Sequence, residues 1–134
     1  MDPMTYELIT LARRKYLAAN PPRISDVQGY TRSGEPAGTM KIPNIGDIQI
    51  IGCKLGMEYL AICDDEEAVE EWIHTALGIV KDPELASILF ANVFRGVNLV
   101  IAGIIEQTPG LREQMHRLAL QAWDKDFAEF GGGA

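Results

Sequence analysis

The chain has 134 residues, 47% hydrophobic and 23% charged, with a net charge of −7. That length can bury a core without disulfides or metals, and so ordinary a composition excludes a disordered or low-complexity chain. The acidic balance disfavours nucleic acid as a partner, since such proteins carry a basic footprint.

The charge is uneven. Residues 1–54 hold seven basic and five acidic side chains, while residues 55–134 hold five and fourteen. One globular domain is expected over residues 1–130, followed by a flexible Gly-rich tail at 131–134.

Asp2-Pro3 marks the first helix start, with a capping side chain ahead of a proline at the first helical position. The helix is expected over residues 3–19, ending at Asn20-Pro21-Pro22, with Met4, Leu8, Leu11, Ala12 and Tyr16 as its apolar stripe. Arg13, Arg14 and Lys15 cluster in its second half, where cations suit the helix dipole.

Residues 20–46 are rich in Pro and Gly and read as a long loop. Loops of that length are unusual in a compact domain. Ile24, Val27, Tyr30, Met40 and Ile42 suggest that parts of it pack. Residues 47–51 (DIQII) and 57–63 (MEYLAIC) then read as two strands turning through Gly52 and Gly56, with residues 39–42 as a third.

Three helices follow. Asp64 with Glu67 resembles a capping box opening a helix over residues 65–81, whose inward side is Val69, Trp72, Ile73, Ala76, Leu77 and Val80. Asp82-Pro83 opens the next helix, which includes residues 85–105 and carries one charge there, Arg95. Thr108-Pro109 opens the last, over residues 109–130, with Leu111, Met115, Leu118, Ala119, Ala122 and Trp123 on the buried side. The expected fold is α+β and mainly helical: an N-terminal helix, a long loop, a small antiparallel sheet of two or three strands, then three consecutive helices around a buried central one.

Residues 85–105 are long enough to span a bilayer. However, Asn92, Arg95 and Asn98 share one arc with Glu84, Ser87 and Glu106, and a mid-bilayer Arg costs roughly 2.5–3.5 kcal/mol. The segment therefore reads as an amphipathic core helix with a wide apolar face, not as a membrane anchor. Ala91, Gly96, Ala102 and Gly103 permit close helix approach, so self-association through this helix is expected.

Several constellations could carry chemistry. Glu71 with His74 and Glu113 with His116 are Glu-x-x-His pairs of the kind di-metal bundles use. Both pairs point away from the apolar faces of their helices, so a shared core site is not expected. Cys53, beside Lys54, lacks a partnering base. Cys63 reads as a buried strand residue, and the spacing of the two cysteines matches neither a zinc nor a redox motif. No P-loop, GxGxxG after a strand, GxSxG or HExxH occurs, so no cofactor is expected.

The basic residues Arg13, Arg14, Lys15, Arg23 and Arg32, with Arg95 mid-helix, are the candidate contacts for a small anionic, phosphate-bearing ligand. The leading expectation is a cytoplasmic, non-enzymatic binding or adaptor protein working through protein–protein contacts as a homo-oligomer. The ligand-binding module is the alternative, and a metal- or thiol-dependent enzyme comes third.

Overall fold

The computed structural model describes residues 3–124. It contains α1 (Pro3–Ala19), β1 (Ile24–Tyr30), β2 (Pro36–Pro43), α2 (Ile45–Ile62), α3 (Glu66–Val80), α4 (Pro83–Gln107) and α5 (Leu111–Asp124). The fold is α+β and mainly helical, with one small antiparallel sheet after the first helix. The chain divides after Val97 into two compact units, residues 1–97 and 98–134.

Of the three expected strands, the one at residues 39–42 is present within β2, whereas those at 47–51 and 57–63 are not. Residues 20–46 hold both strands, and residues 47–62 lie within helix α2. β1 and β2 form an antiparallel hairpin pairing Ser25 with Ile42 and Val27 with Met40, with an irregularity between Gln28 and Tyr30. Its turn is closed by Gly34 N–H donating to the Thr31 carbonyl at 2.9 Å and Thr31 N–H donating to the Glu35 carbonyl at 2.8 Å. Gly34 takes φ +85°, a left-handed conformation that glycine adopts without steric cost.

The expected strands at 47–51 and 57–63 fail for two reasons. Asn44 caps a helix, its Oδ1 accepting from Asp47 N–H at 2.9 Å. Gly52 and Gly56 are not turn residues but contact points. A Cβ on Gly52 would stand 2.7 Å from Asn92 Cβ, and one on Gly56 would stand 2.9 Å from the Val93 carbonyl oxygen. Across the same crossing, a Cβ on Gly96 would stand 2.8 Å from Cys53 Cα. Three glycines thus bring the α2 and α4 backbones together, which is why α2 carries apolar groups on both sides.

The core of residues 3–97 forms where α2, α3 and the first half of α4 meet. Ile48, Ile62 and Leu89 are its largest fully buried side chains. Trp72 on α3 stacks obliquely on Tyr59 at 5.2 Å and edge-on against Phe90 at 5.9 Å. Its indole N–H donates to the Leu55 carbonyl at 3.2 Å, so the large ring is buried with its polar atom satisfied.

The helix starts shift slightly from expectation. Asp65, not Asp64, caps α3, accepting from Ala68 N–H at 3.1 Å. Asp82 caps α4 as expected, accepting from the N–H groups of Glu84 and Leu85. Thr108 instead serves the end of α4, its hydroxyl donating to the Ile104 carbonyl at 2.7 Å. Gly110, at φ +80°, turns the chain, and α5 starts at Leu111. The expected continuation of this helix to residue 130 and the tail at 131–134 lie outside the described residues.

Three inward faces also differ. On α1, Met4, Leu8 and Leu11 are exposed, while Thr10 is buried and Tyr6, Ile9, Arg13, Tyr16 and Leu17 are half-buried. Polar ties from Tyr6 and Arg13 turn that side inward and override the aliphatic stripe. On α3, Ile73 and Leu77 are exposed, and Ala68, Trp72, Ala76 and Val80 form the buried side. On α5 no described residue is buried.

Candidate binding site

α1 and α2 line a half-open cavity of about 370 Å³ within residues 3–97, with Ala12, Lys54, Met57 and Ala61 exposed at its edge. Its walls are mostly aliphatic: Ile9, Ala12 and Leu17 from α1, and Ile51, Leu55, Met57 and Ala61 from α2. Four polar or charged side chains also line it: Arg13, Tyr16, Lys54 and Glu58.

Arg13 and Glu58 form an ion pair across the two helices. Arg13 Nη1 donates to Glu58 Oε1 at 2.7 Å and to Oε2 at 2.6 Å. Their side chains are 11% and 6% exposed. Burial pushes the Glu58 carboxyl above the ordinary carboxylate range, and the nearby Glu71 adds to that, even though Arg13 pulls the other way. The desolvation of Glu58 therefore outweighs the attraction of its partner.

Tyr6, a half-buried residue on α1, donates from its hydroxyl to Glu71 Oε2 on α3 at 2.9 Å. Burial, followed by that hydrogen bond, raises its pKa. Lys54 differs from both. Its ammonium lies 4.4 Å from the centroid of the Tyr16 ring, and no described carboxylate lies within ion-pair distance of it. The ring holds the cation at the cavity without neutralising it.

The sequence-derived candidates separate. Arg13 enters the cavity, paired with Glu58, whereas Arg23 binds Asp47 through Nε at 2.9 Å and Nη2 at 3.0 Å. Asp47 and Glu58 are eleven residues apart on α2, which is about 16 Å along the axis. The two arginines are thus tied to opposite ends of one helix. Arg14, Lys15, Arg32 and Arg95 are exposed.

The polar arc of α4 splits as well. Asn92 is buried, donating from Nδ2 to the Ile88 carbonyl at 2.9 Å, whereas Arg95 and Asn98 face outward. Exposure supplies Arg95 with solvent, so it needs no protein partner.

Glu71 is bound by Tyr6, and His74, Glu113 and His116 are exposed. No group of three His, Cys, Asp or Glu side chains that could hold a metal occurs among the described residues. Cys53 and Cys63 are both free and exposed. Cys53 stands in the body of α2, not in a turn, and Cys63 caps the end of that helix instead of lying buried in a strand.

Sequence reasoning missed Lys54 and Glu58 as site residues; Tyr16 stands beside the basic cluster of α1, where the sequence already suggests a ligand contact. The expected hairpin puts Lys54 in its turn and Glu58 in its second strand. Read as a helix, the same stretch places Lys54 and Glu58 four residues apart and hence on one face, a legible signal once the period is right.

Comparison with known proteins yields nothing to lean on: no family model, no curated protein and no solved structure matches this chain.

Proposed function

We propose that this is a non-enzymatic binding protein that works as a self-associated assembly of its own copies, joined through the last turns of α4 and through α5. One observation carries the reading. From Asn98 to Asp124 no described residue is buried, although the segment is rich in large apolar side chains. Leu99 is 83% exposed and Trp123 is 90% exposed, and Ile101, Ile104, Leu118 and Leu120 are exposed as well. Large apolar side chains exposed in that number support an interaction surface on this segment.

The occupant is a second copy and not a bilayer. By length and composition α4 could cross a membrane. Its first fifteen residues are engaged elsewhere, with Leu85, Ala86, Leu89, Val93 and Val97 all in the core. The ten that remain are half of the roughly 20 a span requires. α5 carries Leu111, Met115, Leu118 and Ala122 on one arc, with Leu111 and Ala122 half-buried, while Leu120 and Trp123 stand outside that arc and are the more exposed, and its charges balance between Arg112 and Arg117 and Glu113 and Asp124.

Sedimentation velocity and native mass spectrometry across micromolar concentrations test the reading. A discrete oligomer is expected, reduced to monomer by Leu99→Glu or Trp123→Glu with helical content retained. A monomer at all concentrations overturns the proposal, as does co-flotation with liposomes that Trp123→Glu abolishes.

A further inference from the structure

The cavity between α1 and α2 is independent of self-association and points to a ligand. We propose that it binds a small single-chain amphiphile with a monoanionic head, such as an aliphatic carboxylate. The chain lies among Ile9, Leu17, Ile51 and Leu55, and the head meets the Lys54 ammonium.

Size sets the first limit. At about 370 Å³ the cavity is near the low end of small-ligand pockets, which run from roughly 300 to 1,000 Å³. A compact molecule fits.

Chemistry sets the second. Walls this aliphatic repay burial of hydrocarbon and penalise a polyhydroxylated or multiply charged ligand.

Charge sets the third. Within a chain of net charge −7, this lining carries two cations and one carboxylate. Arg13 already satisfies that carboxylate. Lys54, an exposed residue, is the remaining charge: its ammonium lies 4.4 Å from the centroid of the Tyr16 ring, and no described carboxylate pairs with it. Arg13 also donates only from Nη1 to the described residues, leaving Nε and Nη2 for a second contact. A solvent-facing ammonium beside an apolar groove favours an amphiphile whose one negative charge sits at its exposed end.

Titration calorimetry of the full chain with decanoate, decanol and decyltrimethylammonium, each below its micellar concentration, tests this. Decanoate is expected to bind about tenfold more tightly than decanol, in line with a charge-assisted hydrogen bond, and the ammonium to bind weakest. Lys54→Gln should bring decanoate down to the level of decanol. Ala61→Trp, which fills the cavity, should weaken all three. Equal affinities for the three compounds overturn the head-group assignment, and undetectable decanoate binding overturns the site.

A spin-labelled fatty acid supplies a readout that needs no variant. Broadening of the Ile51 and Leu55 methyl resonances is expected. Broadening confined to residues 98–124 overturns the proposal.

Discussion

Arg13 reaches both carboxylate oxygens of Glu58 through a single nitrogen, Nη1, at 2.7 and 2.6 Å, and this pair ties α1 to α2. Removing one partner strands the other charge in a buried setting, which typically costs about 3–5 kcal/mol. Glu58→Leu and Arg13→Met are each expected to lower stability by an amount near that range. The double variant Arg13→Met with Glu58→Leu should recover most of the loss, because apolar replacements relieve both desolvation costs. Urea unfolding of the four proteins gives the coupling directly. Additive losses would mean that the pair is not a unit.

The two ion pairs respond to pH in opposite senses. Asp47 is held down to about 2 by hydrogen bonds from Arg23. Its contribution is complete above the ordinary carboxylate pKa and fades as the pH falls toward about 2. Glu58 is raised by burial, so the native state holds its proton more tightly than the unfolded chain does. Its contribution is complete below the ordinary value and fades as the pH climbs through the raised one. The acid slope of melting temperature against pH should therefore be shallower in Asp47→Asn. The decline on the other side should flatten in Glu58→Gln, whatever the overall offset of that variant.

Glycine substitutions should separate by location. Gly78 on α3 has open space where a Cβ would go, so Gly78→Ala should stabilise by about 1 kcal/mol through helix propensity. Gly52→Ala makes the same propensity gain but drives a methyl to 2.7 Å from Asn92 Cβ and 3.0 Å from the Asn92 carbonyl carbon. Net destabilisation of about 1–3 kcal/mol is expected from overpacking. Thermal melts of the two variants side by side suffice. A stabilised Gly52→Ala protein would contradict the close crossing.

Thr10 is buried on α1, and its hydroxyl has no hydrogen-bond partner among the described residues. Thr10→Val keeps the shape and removes the unsatisfied group, whose burial costs about 1–3 kcal/mol. A rise in melting temperature is the expected result, and a fall would show that the hydroxyl is partnered in solution.

Much of this architecture is legible along the chain, in proportion to how local its cause is. Asp82 ahead of Pro83 announces α4 because a cap and a fixed φ act within three residues. α2 is misread because its glycines resemble turn residues, and only the partner helix α4 reveals them as points of backbone approach. The inward side of α1 is hidden for a similar reason. Arg13 and Tyr6 are bound by residues 45 and 65 positions away, and no window along the sequence contains both ends of such a tie. The cavity inherits both difficulties. Met40 and Ile42 lie on one face of a hairpin that is exposed except near its base, so their apolar character misleads about packing.

That hairpin also sets where the chain can change length. Residues 31–42 are all exposed, and the turn is held by Thr31, Ser33, Gly34 and Glu35 bonding among themselves. The loop that Arg13 and Glu58 close already contains the whole ribbon. Because closure entropy grows only logarithmically, doubling such a loop costs about 0.6 kcal/mol. The stretch between Thr31 and Glu35 is therefore the natural place to graft an epitope, a tag or a further domain while leaving the helices undisturbed.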